Sequence, residues 1–121
     1  MPRPILDPSR LHPAIADLVA NCQSDILAEV QAAVTAHPVL VVGMTGNPFC
    51  SKARKLLSQA GVAHEYLSYG SYVSQWRRRN ALKMWTGWPT LPMVFVKGQL
   101  IGGTTDLQRL IRSGELQRLL A

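Results

Sequence analysis

Apolar positions along the chain form short blocks, and their spacing changes several times between that of a helix and that of a strand. Residues 39–42, VLVV, are a continuous apolar run of the kind found in strands that are covered on both faces. Residues 62–67, VAHEYL, alternate as a strand does, and the runs MVFV and QLIG, joined by Lys97-Gly98, indicate a hairpin. The pattern therefore predicts four strands.

Helical spacing fills the intervals around these strands. The predicted helices run, in chain order, over 10–21, between 24 and 37, over 48–60, over 72–85, from 104 or 105 onward, and over 115–120. Residues at their ends support these limits, because Ser9, Ser24 and either Thr104 or Thr105 are suited to helix starts and Gly61 to a helix end.

Two of these helices carry apolar residues that the spacing places on one inward side. In the helix over 10–21 they are Leu11, Ile15, Leu18 and Val19. In the helix over 72–85 they are Val73, Trp76, Leu82 and Trp85. Cys22, on a predicted N-terminal helix, is expected in the core as well, because unpaired cysteine behaves as a small hydrophobic residue.

The order of the elements, helices alternating with strands before a final hairpin, predicts an α/β domain with a mixed four-stranded sheet flanked by helices. A chain of 121 residues is the size of one domain. We expect a loose segment at residues 1–8, helices within 9–37 that pack on the domain, and the domain itself over 38–121.

Composition agrees with a folded chain, since 47% of the residues are hydrophobic and 17% are charged. No apolar run approaches the roughly 20 residues of a transmembrane helix, and the first residues, MPRPILDPSR, lack the apolar stretch of a secretion signal. We therefore expect a cytoplasmic protein without a membrane segment. Its two cysteines, Cys22 and Cys50, are expected to be reduced thiols and not a disulfide framework.

Charge is unevenly distributed along the chain. The net charge is +6, but residues 1–50 contain two arginines against four acidic residues, so the remainder carries +8. No acidic residue lies between Glu65 and Asp106. That interval contains five basic residues: Arg77, Arg78, Arg79, Lys83 and Lys97. Such a region suits a small anion, an acidic partner or a phosphate backbone, although any one of these charges could also belong to a solvated helix face.

Residues 43–53, GMTGNPFCSKA, carry the chain's candidate chemistry. Asn47 followed by Pro48 is a favourable helix start, since asparagine caps well and proline fits the first helical position. Cys50 would lie in the first turn, where the positive end of the helix dipole stabilises a thiolate. Two alternatives stay open for Cys50: a buried, inert residue, or, if solvent reaches it, the one thiol able to form mixed disulfides.

From Pro38 onward the chain resembles the glutaredoxin family, small proteins that use glutathione. The resemblance rests on MTGNPFCSKARKLL, where the family has a Lys-Thr-x-Cys-Pro-Tyr-Cys pattern before a basic helix, and on WPTLPMVFVKGQLIGG, with its Thr-x-Pro and Gly-Gly segments. The Trp-Pro pair is similar to that of the family's monothiol branch. The resemblance implies a thioredoxin-like fold, here with an extra N-terminal helix, and a role in thiol–disulfide redox homeostasis.

The resemblance also assigns positions in the loop. It places Asn47 where the family has its attacking cysteine and Cys50 at the second, resolving position. Met44 stands where the family has a lysine that helps to bind glutathione. An amide is not a nucleophile, so Asn47 is not itself expected to be catalytic.

Other matched positions imply a glutathione-binding surface. Arg79 matches an arginine that receives the glycine carboxylate of glutathione in the monothiol branch. The remaining matches form a segment with a cis proline, which pairs with the cysteinyl part of the tripeptide, and a segment that holds its γ-glutamyl end. They are Thr90, Leu91 and Pro92 in the first, and Gly102, Gly103, Thr104, Thr105 and Asp106 in the second.

Two functions follow from these matches. The first is a glutathione-dependent thiol–disulfide oxidoreductase that acts through Cys50 and is weakened by Asn47 at the nucleophile position. The second is a non-catalytic member that binds glutathione, or a partner protein, through the same surface. Protein thiols or disulfides are further expected partners of an active member.

Three kinds of site are not expected. The three histidines, His12, His37 and His64, lie in separate predicted elements without the spacing of metal ligands. An iron–sulfur cluster of the monothiol kind is not expected, because the family holds it through the first cysteine. Nucleic acid binding is not expected either, since the aromatic residues around QWRRRN are predicted to be buried.

Overall fold

The computed structural model describes residues 3–71 and 73–121. Six α-helices lie in this part of the chain: α1 (Pro13–Ala20), α2 (Ser24–Ala36), α3 (Pro48–Gln59), α4 (Trp76–Thr86), α5 (Thr104–Ser113) and α6 (Glu115–Leu120). It also contains four strands: β1 (Val39–Gly43), β2 (Glu65–Ser68), β3 (Met93–Val96) and β4 (Gln99–Gly102). The four strands and the alternation that the sequence predicts are confirmed.

The strands form one mixed sheet in the order β2-β1-β3-β4. β1 runs parallel to β2 and antiparallel to β3, and β3 pairs antiparallel with β4. The β3–β4 turn is made by Lys97 and Gly98, with φ values of 51° and 82°. Positive φ at both residues gives the turn that matches the twist of a two-residue hairpin, as the sequence predicts.

Helices cover both faces of this sheet. On one face, α2 and α4 pack against side chains that include Leu40, Val42 and Met93. On the other, α3, α5 and α6 pack against a second set that includes Val39, Val41 and Val94. Every residue of β1 and β3 is buried. The continuous apolar runs of these two strands are therefore explained by burial on both sides.

The two N-terminal helices differ in how they relate to this sheet. α2 contributes the buried side chains of Ile26 and Val30 and packs against β1 and α4. α1 has no buried residue, and Ile15, Leu18 and Val19 are exposed. The prediction that its apolar side faces the core is wrong. Cys22 is exposed as well, and its predicted place in the core is also wrong.

Several helix starts differ from the sequence prediction. Ser9 lies in a short 3₁₀ turn (Pro8–Arg10), and α1 begins only at Pro13, where the His12 Nδ1 accepts a hydrogen bond from the Ala14 N–H at 3.0 Å. A proline in the first turn is compatible with the helix only at its start, which explains the later beginning. Ser24 is the first residue of α2 and not its cap. Likewise, α5 begins at Thr104, and Gly103 precedes it.

α4 begins at Trp76, four residues after the predicted start at Tyr72, which lies outside the described residues. Val73 is therefore not helical and is 92% exposed. Leu82 is buried as predicted, but Trp76 is 54% exposed and Trp85 is also exposed. The Arg77 guanidinium lies 5.2 Å from the centre of the Trp76 ring. The expectation of an inward side chain is wrong for Trp76, whereas the exposed Trp85 still stacks on the buried Phe95, with 6.2 Å between the ring centres.

A polar contact joins α2 to the segment after β2. The Tyr69 hydroxyl donates to Glu29 Oε1 at 2.6 Å, and Arg78 of α4 lies 3.4 Å from Asp25 of α2. Burial, followed by the hydrogen bond to Glu29, raises the pKa of Tyr69 far above its usual value, so that the phenol stays protonated. This contact and the buried residues of α2 hold the helix on the sheet. Among the described residues, no helix is long and apolar enough to cross a lipid bilayer.

The different packing of the two N-terminal helices can be tested by truncating one side chain in each. Ile26→Ala should lower the free energy of unfolding by about 2–5 kcal/mol, because it removes a fully buried side chain. Leu18→Ala should change it by less than about 0.5 kcal/mol, because this side chain is exposed. Urea denaturation measures both values. Equal losses in the two variants would contradict this description of α1.

Candidate functional site

A cleft of about 520 Å³ opens beside the end of β1 and the start of β3. Three segments of the chain line it: the loop and helix start after β1, the stretch from α4 to β3, and the start of α5. The lining residues are Met44, Asn47, Phe49, Lys83, Trp88, Pro89, Thr90, Leu91, Pro92, Gly103, Thr104, Thr105 and Asp106. Its size lies within the range of small-molecule sites, and most of its wall is apolar.

The sheet pairing explains why these segments meet. β1 and β3 are antiparallel, with Val42 opposite Met93, so the chain leaves β1 where it enters β3. The loop after β1 and the segment 88–92 therefore lie side by side. The Leu91-Pro92 peptide bond is cis, as the resemblance implies.

Asn47 lies in the cleft wall as the cap of α3. Its Oδ1 accepts hydrogen bonds from the N–H groups of Phe49, at 2.8 Å, and Cys50, at 3.3 Å. These N–H groups have no partner inside the helix, and the asparagine amide satisfies them. The predicted cap of α3 by Asn47 is confirmed, with Pro48 at the first helical position.

Cys50 does not line the cleft. Its side chain is 1% exposed and packs in the core beneath the start of α3. Gly43 makes room for it, because a Cβ at that position would lie only 2.8 Å from the Cys50 Sγ. Burial raises the pKa of the Cys50 thiol, and a hydrogen bond with the Met44 backbone opposes this only in part. Of the two alternatives for Cys50, this geometry corresponds to the buried one.

The Phe49 backbone is held by two hydrogen bonds, whereas its side chain is exposed. Its N–H is bonded to Asn47, and its carbonyl oxygen accepts the Thr104 hydroxyl at 2.6 Å. The second bond joins the start of α3 to the start of α5 across the cleft. The Phe49 side chain is nevertheless 60% exposed. It therefore forms an exposed apolar rim on this side of the cleft.

The opposite end of the cleft is polar. Asp106, in the first turn of α5, accepts a hydrogen bond from the Gly103 N–H at 3.0 Å, and Arg109 lies 3.8 Å from its other oxygen. Trp88 also lines the cleft, and its buried indole N–H has no hydrogen-bond partner in the described part of the chain. That nitrogen lies 3.7 Å from the point where a Cβ of Gly103 would be. A donor without an acceptor thus faces the start of α5.

The structure separates Arg79 from the other predicted binding residues. Arg79 is 6% exposed and is not among the residues of the cleft wall. Its Nη1 donates to the carbonyl oxygens of Tyr69 and Ser74, at 2.8 Å for Tyr69, and so holds that segment against α4. Lys83 lies one helical turn further along and does line the cleft. The cation nearest to a ligand would therefore be Lys83, not Arg79.

The structure brings together eight of the residues singled out by the sequence. Asn47, Thr90, Leu91, Pro92, Gly103, Thr104, Thr105 and Asp106 all line the cleft, whereas Cys50, Arg79 and Gly102 do not. Sequence reasoning gave no binding role to Phe49, Lys83, Trp88 or Pro89. The acid-free interval contains Lys83 and was the available signal for it. Within the described residues, no group of three His, Cys, Asp or Glu side chains is arranged to hold a metal ion.

Comparison with known proteins gives consistent matches. The glutaredoxin family model matches residues 39–101. A glutaredoxin-like protein of Dictyostelium discoideum is 46% identical over 102 residues, which are 84% of this chain and 83% of that protein.

Two solved structures extend the comparison to the fold. The buckwheat glutaredoxin-glutathione complex matches with a TM-score of 0.72 and 28% identity, over 83% of this chain and 91% of that one. Oxidized glutaredoxin 2 from Chlamydomonas reinhardtii matches with a TM-score of 0.70 and 28% identity, over 81% and 92% of the two chains. The predicted thioredoxin-like fold is confirmed.

The burial of Cys50 predicts different reactivity for the two thiols. In the folded protein, Cys22 should react with a chromogenic disulfide reagent, because it is exposed. Cys50 should react only after unfolding, because reagents do not reach its sulfur and its raised pKa keeps the thiolate fraction low at pH 7–8. In Cys22→Ser, thiol titration should find no reactive group in native buffer and one in denaturant. A reactive thiol in native Cys22→Ser would show that Cys50 is accessible.

Proposed function

The chain belongs to the glutaredoxin family, whose members act in thiol redox chemistry, and we propose that it binds glutathione non-covalently without an attacking thiol of its own. This proposal rests on the locations of two residues of the loop after β1. The residue at the nucleophile position, Asn47, lies in the cleft wall, whereas the one thiol of the loop, Cys50, is buried.

The charges around the cleft support glutathione as the ligand. At neutral pH glutathione carries two carboxylates and one ammonium group. Lys83 supplies a positive charge to the wall, and Asp106 supplies a negative one. Lys83 would bind the glycine carboxylate, the role that the family resemblance gives to Arg79. Asp106 would bind the amine of the γ-glutamyl end.

The unsatisfied indole of Trp88 also supports an acidic ligand. A buried donor without an acceptor costs about 1–3 kcal/mol, and a rotation of the Trp88 ring on ligand binding would expose the N–H to an oxygen of the ligand and remove that cost. The start of α5 lies beside it, where the helix dipole favours a negative group. The γ-glutamyl carboxylate would lie between the Trp88 N–H and the first residues of α5. The similar fold of the buckwheat glutaredoxin-glutathione complex supports this ligand.

The cleft wall contains no thiol that could take part in thiol–disulfide exchange. Thiol exchange requires a thiolate that can reach the disulfide, and the amide of Asn47 neither ionises nor attacks sulfur. The Cys50 sulfur lies behind the start of α3. An iron–sulfur cluster does not fit for the same reason, since such clusters are held by thiolates and the cleft wall has none.

The proposed compartment and protein partner follow from the proposed ligand. We propose that it acts in the cytoplasm, where the glutathione pool keeps thiols reduced. A partner protein that presents a thiol or a glutathionyl group is the second class of ligand that the same cleft would accept.

Glutathione binding can be measured by titration calorimetry of the intact chain. The unmodified protein should bind reduced glutathione, and Lys83→Ala should weaken binding by roughly 10- to 100-fold, because a charge-assisted hydrogen bond contributes about 1.5–3 kcal/mol. Arg112→Ala is a matched control, since Arg112 is an exposed cation on α5 outside the cleft wall. Absence of binding to the unmodified protein at millimolar glutathione would overturn the proposal.

Restoring a thiol at the nucleophile position should restore exchange chemistry. Asn47→Cys is expected to show turnover in a glutathione-coupled disulfide reduction assay, because the α3 start lowers the pKa of a cysteine placed there. Ser58→Cys, which adds an exposed thiol near the other end of α3, should stay inactive. The unmodified protein should also be inactive. Turnover in the unmodified protein that disappears in Cys50→Ser would establish Cys50 as the catalytic thiol instead.

A further inference from the structure

The wall of the cleft around Asn47 is apolar. Met44 and Phe49 belong to the same segment as Asn47, and Leu91 and Pro92 line the cleft from the neighbouring segment. The two charged residues of the wall, Lys83 and Asp106, come from α4 and α5 and not from this segment. The sulfur of a bound glutathione would lie beside Asn47, at the nucleophile position. The surrounding side chains are therefore better suited to an apolar group than to a charged one.

Phe49 differs from an exposed apolar residue on a mobile loop, because its backbone is held in place beside the cleft. Hydrogen bonds to both its N–H and its carbonyl oxygen hold the Phe49 backbone, so only the side-chain torsions of the exposed ring have to be ordered when a ligand arrives. A side chain on a held backbone loses less conformational entropy on binding than one on a mobile loop. A small apolar group bound against Phe49 would cover it.

Asn47 changes which form of glutathione suits this surface. A free thiol finds no partner thiol in the wall, and the N–H groups at the start of α3 that would stabilise its thiolate are already bonded to Asn47. Alkylation of the sulfur removes its acidity and adds hydrocarbon that can pack on Phe49 and Met44. A thioether loses nothing at this position and gains buried apolar area.

We propose that the preferred ligand of the cleft is a glutathione thioether, a glutathione whose sulfur carries an apolar substituent. This inference rests on the proposed function, because it uses the same contacts for the tripeptide. The tripeptide is held by Lys83, Trp88 and Asp106, and the substituent packs on Phe49. Binding is non-covalent and the thioether is not changed by it.

A series of ligands tests this inference by calorimetry on the intact protein. The probes are reduced glutathione, S-methylglutathione, S-hexylglutathione and glutathione disulfide. Each methylene that becomes buried should tighten binding roughly fourfold, so S-hexylglutathione should bind at least about tenfold more tightly than reduced glutathione. Glutathione disulfide should not share this gain, because its substituent is charged.

Substitution of the rim connects the gain to one side chain. In Phe49→Ala the ratio of the S-hexylglutathione affinity to the glutathione affinity should fall towards one, and in Phe49→Leu part of it should return. Met84→Ala is the matched control, because Met84 is an exposed apolar residue of α4 outside the cleft wall, and it should keep the ratio.

The possible outcomes separate the two proposals. If reduced glutathione binds and S-hexylglutathione binds no more tightly, the thioether inference is overturned and the proposed function stands. The inference is also overturned if glutathione disulfide binds most tightly, or if Phe49→Ala keeps the ratio. If none of the four probes binds, the proposed function itself fails.

Discussion

Burial of the β1–β3 pair on both faces is the constraint on which the rest of this structure depends. Both strands are fully covered, so helices must pack above and below them. The antiparallel pairing sets Val42 opposite Met93 and thereby brings two loops to one edge of the sheet. The cleft is the space between these loops and the start of α5. Its location follows from strand pairing, and its chemistry follows from the few residues that the loops supply.

Much of this arrangement could be predicted from local patterns. The runs VLVV and MVFV are long enough and apolar enough to identify the buried strands, and the Asn47-Pro48 pair identifies the start of α3. Residues 90–92 and 103–106 entered the predicted site through the family resemblance, and they do line the cleft. The strand and helix-start signals work because each depends on neighbouring residues alone.

Other features depend on tertiary packing, which one sequence does not reveal. Arg79 and Lys83 lie one turn apart on the same helix, and periodicity cannot decide which of them is buried against the segment after β2. The apolar spacing of α1 predicts a buried side, but no element of the described chain covers it. The burial of Cys50 depends on the missing side chain at Gly43, a residue of another element. In each case the outcome depends on how different elements pack against one another, which the spacing within one element does not show.

The cap made by Asn47 has a consequence for how such a protein would respond to oxidants. In a redox-active relative, peroxides and electrophiles modify the attacking cysteine and block the ligand site with the adduct. An amide is inert to these reagents, and the hydrogen bonds that it makes to the first turn of α3 do not depend on protonation. The cleft would therefore keep its shape during oxidative stress, when thiol-dependent members of the family are covalently blocked. With asparagine at position 47, the cleft has no reactive thiol, and its binding surface is insensitive to oxidants.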